Sequence, residues 1–522
     1  MSPLRALLVV GFLVLAGCTA PAIQNSPVSN AGGGGGGGGS AAESPVASHP
    51  PGNFTDPPKD VIGWEDGYWY DEPIHVNQSD GLSKKELHAF VGRAMARVEY
   101  IRHLEFKKSV PVNVISRAKY SAQTNANTSK QQGDFGAWNN QVWEALFITG
   151  ESNDSQQAIG QTQSTAVAGF YSPRDDEIKI ITNTPDHPVI DNATLVHELT
   201  HALQDQHFNL SRPSLSSPTQ DGQLATDGIV EGGAQYVEKR YSKLCTSQWQ
   251  CVAPPPSKGK GANGGSSSSG APSINPGIYL TIYQPYSDGP AYVAALHRRG
   301  GWQAVNRKFA NPPASTEQTI HVNDQRPVPI NYTNTARDGW HLFPNQGVNG
   351  SDTVGEASIF TMFWYQSAKY HAGVVNPRSV FQASGPYDTY NYDSKPSAGW
   401  ANDRVFPYRK AAGGGSQYGY VWVTRWDSPS DARQFQSAYR KILSAHDATQ
   451  RTDGVYVIKN DPWADAFRVV RQGNRVVIVN GPTPAAVDSI RPGLASSTGG
   501  SRASLAPASA GAATDNRGQS GA

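Results

Sequence analysis

The stretch Leu195–Phe208 reads LVHELTHALQDQHF, and its spacing constrains the chain more than any other feature. His197 and His201 lie four residues apart, with Glu198 beside the first. Side chains at i and i+4 project from one face of an α-helix, so here two imidazoles can share one metal ion. The chain holds 13 His in 522 residues, and an HExxH pattern arises by chance about 0.01 times in such a sequence. Glu198 is placed to take a proton from a metal-activated water and pass it to a leaving amine. A catalytic zinc needs three protein ligands and one open position, so a third ligand must come from elsewhere.

Two residues qualify. His207 completes the spacing HExxHxxQxxH, the metzincin pattern with Gln204 where that pattern has glycine. A glycine there lets the chain turn so that the last histidine swings back. Gln204 favours a continuing helix, which would carry His207 about 240° round from His201. The only methionine that a Met-turn could use, Met362, lies in an apolar helical run. The other candidate is Glu231, in ATDGIVEGGAQYVEKR. A second helix packed on the first can present its carboxylate to the metal, as in gluzincins. Ala225, Ile229, Ala234 and Val237 supply a packing face, and Gly232 and Gly233 allow close approach. Glu238 lies on roughly the same face, two turns on, and is a poorer ligand candidate. The reading favours His197, His201 and Glu231, with His207 as the alternative.

The N-terminus bears on location. Arg5 precedes an apolar run ending Leu15-Ala16-Gly17-Cys18. The run is shorter than the roughly 20 residues of a spanning helix. It suits a secretory signal whose Cys18 is cut and lipid-modified. Residues 18–58, with glycines from Gly32 to Gly39, read as a flexible tether. Lysine and arginine total 44 against 43 acidic residues, which gives no case for nucleic acid or a polybasic membrane contact. Cys245 and Cys251 are close enough to close a small disulfide loop. Sequons begin at Asn53, Asn77, Asn127, Asn153, Asn192, Asn209, Asn331 and Asn349, as suits a surface glycoprotein.

Along the chain, order is expected from about Val61. Ser83 and Glu86 form a capping box ahead of an apolar-faced helix. A strand follows over Val110–Arg117, then a helix over Ala137–Ile148. The run AVAGFYSPRDDEIKIIT reads as a hairpin. The HExxH helix starts at Asp191 or Asn192, and another covers Asp227–Lys243. Further helical segments are expected near Pro290–Leu296, Trp302–Phe309 and Glu356–Tyr370. The C-terminal order is βαββα. The expected fold is α+β: a signal peptide (1–17), the tether (18–58), a peptidase core (59–380, with a Gly/Ser-rich insertion at 254–273), a C-terminal unit (381–492) and a disordered tail (493–522).

HELTHALQDQHF followed by DGIVEGGAQYVE resembles a family of largely uncharacterised prokaryotic surface proteins classed as zinc metallopeptidases, with lipoprotein members in halophilic archaea. GWEDGYWY, GFYSPRDDEI, GGWQAVNRKFANPPASTEQTIH and VWVTRWDSPSDARQF also look like its blocks, so the resemblance covers most of residues 61–481. It implies a zincin-like core and a gluzincin-type site of His197, His201 and Glu231, with Glu198 as base and Zn²⁺ as cofactor. It also picks out His321, which closes STEQTIH, as a candidate to stabilise an oxyanion or bind substrate. Tyr171 is expected in the core of an edge strand that can pair with extended substrate, and Tyr286 is an unplaced oxyanion candidate. The expectation is a lipid-anchored peptidase at the outer membrane face, acting on peptide or protein substrates. The alternative is a surface binding or adhesion lipoprotein whose metal site is structural or vestigial.

Overall fold

The computed structural model describes residues 43–129, 133–253, 274–383, 385–413 and 415–494. The expected signal peptide, the Cys18 lipidation site, the glycine run, the 254–273 insertion and all but the first two residues of the tail lie outside the described residues.

A small antiparallel pair, β1 (Trp64–Glu65) and β2 (Tyr68–Trp69), precedes helix α1 (Lys84–Arg102). The Ser83 hydroxyl accepts from the Glu86 N–H, and the Glu86 carboxylate accepts from the Ser83 N–H, completing the expected capping box. Strand β3 (Val112–Ser116) is followed by helices α2 (Arg117–Ser129), α3 (Asp134–Ala145) and α4 (Ser155–Ala166). Sequence reasoning found β3 and α3 but missed α2 and α4. RAKYSAQTNANTS and SQQAIGQTQSTA carry too few apolar residues to show a helical period.

Strands β4 (Gly169–Ser172) and β5 (Glu177–Thr182) form the expected hairpin. Its turn closes with the N–H groups of Asp175 and Asp176 both donating to the Ser172 carbonyl, and Asp176 adopts φ 54°. Strand β5 also pairs in parallel with β3, so the mixed sheet has the order β3-β5-β4 and β4 is an edge. Helices α5 (Asn192–Phe208), α6 (Gln220–Ser247), α7 (Pro276–Ala310) and α8 (Thr316–Ile320) follow. Helix α6 is longer than predicted, because the Thr219 hydroxyl caps it by accepting from the Gly222 N–H. The separate segments predicted near Pro290 and Trp302 belong to α7, which runs through Pro285 and Pro290 and breaks only at Gly300–Gly301. One core unites Val98, Ile178, Leu199, Ile229 and Val293 from α1, β5, α5, α6 and α7.

The rest contains β6 (His341–Leu342), α9 (Gly355–Tyr370), β7 (Trp400–Ala412), β8 (Gly415–Trp426), α10 (Pro429–Ala445), β9 (Thr449–Gln450), β10 (Val455–Val457), β11 (Ala466–Gln472), β12 (Arg475–Gly481) and α11 (Pro484–Ile490). The predicted βαββα unit is present as β8, α10, β11, β12 and α11. It belongs to a larger antiparallel sheet of seven strands, ordered β6-β7-β8-β12-β11-β10-β9. Strand β8 is apolar on both faces because both are covered. Tyr420 and Trp422 pack with Phe435 and Tyr439 of α10, while Val421 and Val423 pack with Val487 and Ile490 of α11. Trp138 of α3 and Phe363 of α9 join the α10 side, so residues before and after position 380 share this core.

The chain is ordered earlier than Val61, and the end of the expected tether lies on the fold. The Trp302 N–H donates to the Glu43 carboxylate at 2.8 Å, and the His49 ring sits 4.4 Å from that of Trp69. Aromatic and charged partners hold this segment despite its Pro/Ser composition. The Cys245–Cys251 disulfide is formed. Among the described residues no helix is long and apolar enough to cross a membrane. The whole is a mixed α+β structure with several sheets.

Candidate metal centre

Helix α5 begins at Asp191, whose carboxylate accepts from the N–H groups of Ala193 and Thr194. It continues without a break to Phe208, ending where Asn209 adopts φ 53°. Gln204 therefore stays helical, as its propensity favours. The consequence for His207 is direct. Its Nε2 lies 2.7 Å from the Glu105 carbonyl, away from the other two histidines. It is Glu231, not His207, that the structure groups with His197 and His201.

The Nε2 atoms of His197 and His201 lie 3.2 and 3.1 Å from the same oxygen, Glu231 Oε2. One ligand atom from each of the three residues lies within 4.8 Å of the others, and all three are buried. The glycines of α6 make this possible. Gly232 packs against the backbone of Gly289 in α7, and Gly233 faces the Gln204 side chain of α5, so neither position has room for a Cβ.

The far side of each ring fixes its tautomer. His197 Nδ1 lies 3.1 Å from Glu238 Oε2, an acceptor-only carboxylate, so Nδ1 carries the hydrogen. His201 Nδ1 lies 3.0 Å from Gln204 Oε1, and the Gln204 amide nitrogen donates to the Val230 carbonyl at 3.0 Å. That second bond assigns Oε1 as the acceptor and again puts the ring hydrogen on Nδ1. With Nδ1 of each ring so held, both Nε2 atoms face the same carboxylate oxygen. Acceptors so arranged need a proton or a cation between them. The donor set, two imidazole nitrogens and one carboxylate with an acceptor behind each ring, fits zinc.

The electrostatics agree with strong coupling. Burial opposes charge on His197, but hydrogen bonds to Glu231 and Glu238 outweigh it and push the imidazole up to about 10. Burial likewise opposes charge on Glu231, yet the two imidazoles hold it down to about 2. Glu198 is also buried, and loss of solvent raises it to about 7 against the pull of His197 and His201. Its Oε2 accepts from the Tyr171 N–H of edge strand β4 at 2.8 Å. Its Oε1, also buried, has no hydrogen-bond partner among the described residues.

Tyr171 is a core residue, as expected, and its hydroxyl donates at 2.7 Å to Asp176 and lies 2.9 Å from Asp205. The Tyr286 ring of α7 stacks against His197, with centroids 6.2 Å apart and planes 22° from parallel. His321 belongs to a different cluster. Its Nε2 lies 3.0 Å from both carboxylate oxygens of Glu356, and Glu317 completes the group. The structure thus joins His197, Glu198, His201, Glu231 and Tyr286 but leaves His321 apart. Sequence reasoning missed Gln204 and Glu238 as ring orienters. The seven-residue step from Glu231 to Glu238 was the available signal, since it returns to the same helix face.

A family model described as a domain of unknown function (DUF8575) matches residues 343–491. That span covers α9 through α11 and leaves out the His197–Glu231 centre. No curated protein and no solved structure matches the chain.

Proposed function

We propose that the chain is a zinc-dependent peptidase with a zincin-like core, carried to the outer face of the membrane by a signal sequence and held there through lipid on Cys18. The observation that carries the peptidase reading is the convergence of His197 Nε2 and His201 Nε2 on Glu231 Oε2 beside the buried carboxylate of Glu198. Bound zinc would supply a Lewis acid that polarises the scissile carbonyl and acidifies a water. His197, His201 and Glu231 would hold it, and Glu238 and Gln204 would keep the rings turned towards it. Glu198, adjacent to His197 and buried, is placed to take a proton from the attacking water. It then returns that proton to the leaving amine nitrogen. A metal site that served only as a staple would need no carboxylate in that position.

The mixed sheet supports the zincin-like reading. Its edge strand β4 lies against the metal-candidate helix and directs the Tyr171 N–H to Glu198. An extended peptide can add to such an edge, with main-chain hydrogen bonds giving affinity. Tyr286, stacked on His197, is a phenol at hand to donate to a developing oxyanion. The location rests on the Leu15-Ala16-Gly17-Cys18 sequence.

The test is zinc content and peptide turnover of wild type and Glu198→Gln. One equivalent of zinc is expected in both, with hydrolysis of casein or a peptide library reduced by about 10²–10⁴-fold in the variant. A zinc-loaded wild type that cleaves nothing, or a variant as active as wild type, would remove the peptidase reading.

A further inference from the structure

A second concentration of buried oxygen lies where α3 meets the C-terminal sheet. One carboxylate oxygen from each of Glu144, Glu151 and Asp465 lies within 4.8 Å of the others. Glu144 sits on α3, Glu151 in the loop after it, and Asp465 immediately before β11. Glu144 and Asp465 are 2 % and 3 % exposed, so water does not neutralise their mutual repulsion.

Two amides turn their donors to these carboxylates. Gln141 Nε2 donates to Glu144 Oε2 at 2.6 Å, and Asn480 Nδ2 donates to Asp465 Oδ2 at 2.7 Å. What remains is acceptor-only. Gln141 Oε1, Glu144 Oε1, Asp465 Oδ1 and Asn480 Oδ1 are all buried without a hydrogen-bond partner among the described residues. A buried polar atom without a partner costs roughly 1–3 kcal/mol, and four from two linked carboxylate–amide pairs are not scattered packing defects. A cavity of about 290 Å³ touches this group at Gln141 and Glu151 and is also lined by Asn140 and Tyr418.

We propose that Glu144, Glu151 and Asp465 form a binding site for a calcium-class cation. The donors are oxygen only, which selects a hard cation over zinc. Carboxylates brought from separate segments, free to bind through one oxygen or both, suit the large and adaptable shell of Ca²⁺. Mg²⁺ demands near-ideal octahedral geometry and keeps its waters, so it is the poorer fit. The ion would clamp α3 to β11 and β12, reinforcing a junction where the Glu151 N–H donates to the Pro462 carbonyl and the Trp463 indole donates to the Thr149 carbonyl.

The experiment uses the full chain in calcium-free buffer, with one equivalent of Zn²⁺ present throughout so that the histidine centre stays filled. CaCl₂ is titrated, and bound calcium and Tm are recorded. One equivalent should bind, and Tm should rise by roughly 3 °C once calcium exceeds its Kd about 100-fold. MgCl₂ should give less than half that rise. Glu151→Gln, at an exposed position that does not threaten folding, should weaken calcium binding at least tenfold, and Asp465→Asn should abolish it, with zinc content unchanged in both. Terbium luminescence gives a second readout, since Tyr420 and Tyr439 interact electrostatically with Glu144. No bound calcium and no Tm rise at 10 mM CaCl₂ would overturn the site and leave shared protons as what neutralises the three carboxyls. Equal calcium affinity in wild type, Glu151→Gln and Glu144→Gln would overturn it as well.

Discussion

His197 Nδ1 lies 3.1 Å from Glu238 Oε2, on the same helix as Glu231 and two turns beyond it. Helix α6 thus grips one imidazole from both sides. Glu231 meets the nitrogen that would bind metal, and Glu238 holds the hydrogen on the other. Partners of this kind set ring orientation and basicity, and losing one typically costs 10–100-fold in metal affinity. Glu238→Ala is expected to weaken zinc binding by about that range, measured by competition with a chromophoric chelator. Glu238→Gln keeps an acceptor oxygen and should lose about tenfold or less. Wild-type affinity in Glu238→Ala would show that the contact does not orient the ring.

His207 supplies the opposite expectation. Its Nε2 is occupied by the Glu105 carbonyl, and burial together with nearby Lys107 and Arg102 keeps its pKa below the usual imidazole value. His207→Ala should retain full zinc and full turnover, and lose about 0.5–1.5 kcal/mol of stability with the hydrogen bond. Zinc analysis beside Glu231→Ala decides the matter, because zinc lost with His207 and kept without Glu231 would reverse the ligand assignment.

The metal-free protein should lose stability as pH rises. Burial raises Asp221 to about 7, Asp352 to about 7 and Glu356 to about 8. The folded state keeps these protons at a pH where the unfolded chain, with ordinary carboxyls near 4, has released them. Their contribution is therefore full below about pH 4 and is lost as pH climbs through 7 to 8. His197, raised to about 10 by its two carboxylates against the effect of burial, acts in the same direction, with a contribution full below about 6.5 and lost towards 10. Glu231, lowered to about 2, is stabilising above its ordinary value and loses its contribution only in stronger acid. Between pH 5.5 and 8.5 the Tm measured without metal should fall by about 5 °C or more. A flat or rising Tm over that window would contradict these shifts.

How much of this was legible in the sequence follows from range. The capping box at Ser83, the β4–β5 hairpin and the uninterrupted helix to Phe208 are set by residues a few positions apart, and each was read correctly. Glu231 was legible because glycines flank it and an apolar stripe marks the packed face of α6. Glu238 and Gln204 were not read as ring partners, since that role depends on how α5 and α6 are rotated against each other. The union of His321 with Glu356 spans 35 residues and left no local trace. Strand β7, WANDRVFPYRKAA, was missed because charges and Pro407 interrupt its alternation, and its place beside β8 comes from tertiary pairing.

The two glycines of α6 should fail differently when a methyl group is added. A Cβ at Gly232 would meet the Gly289 backbone, which cannot give way without moving α7. Gly232→Ala gains up to about 1 kcal/mol of helix propensity but should lose about 1–3 kcal/mol to overpacking, with a fall of about 1–2 °C in Tm. A Cβ at Gly233 would lie 2.7 Å from Gln204 Nε2, the end of a side chain that can swing aside. Swinging aside breaks its bond to the Val230 carbonyl and turns Oε1 away from His201. Gly233→Ala should therefore weaken zinc binding by about tenfold or more, with its gain in helix propensity offset by about 1–3 kcal/mol for the buried bonds of Gln204 that break. Thermal melts and chelator competition on both variants check the pair. Equal effects on stability and on zinc in the two would mean that the close helix crossing and the His201 support are not separate functions of these neighbours.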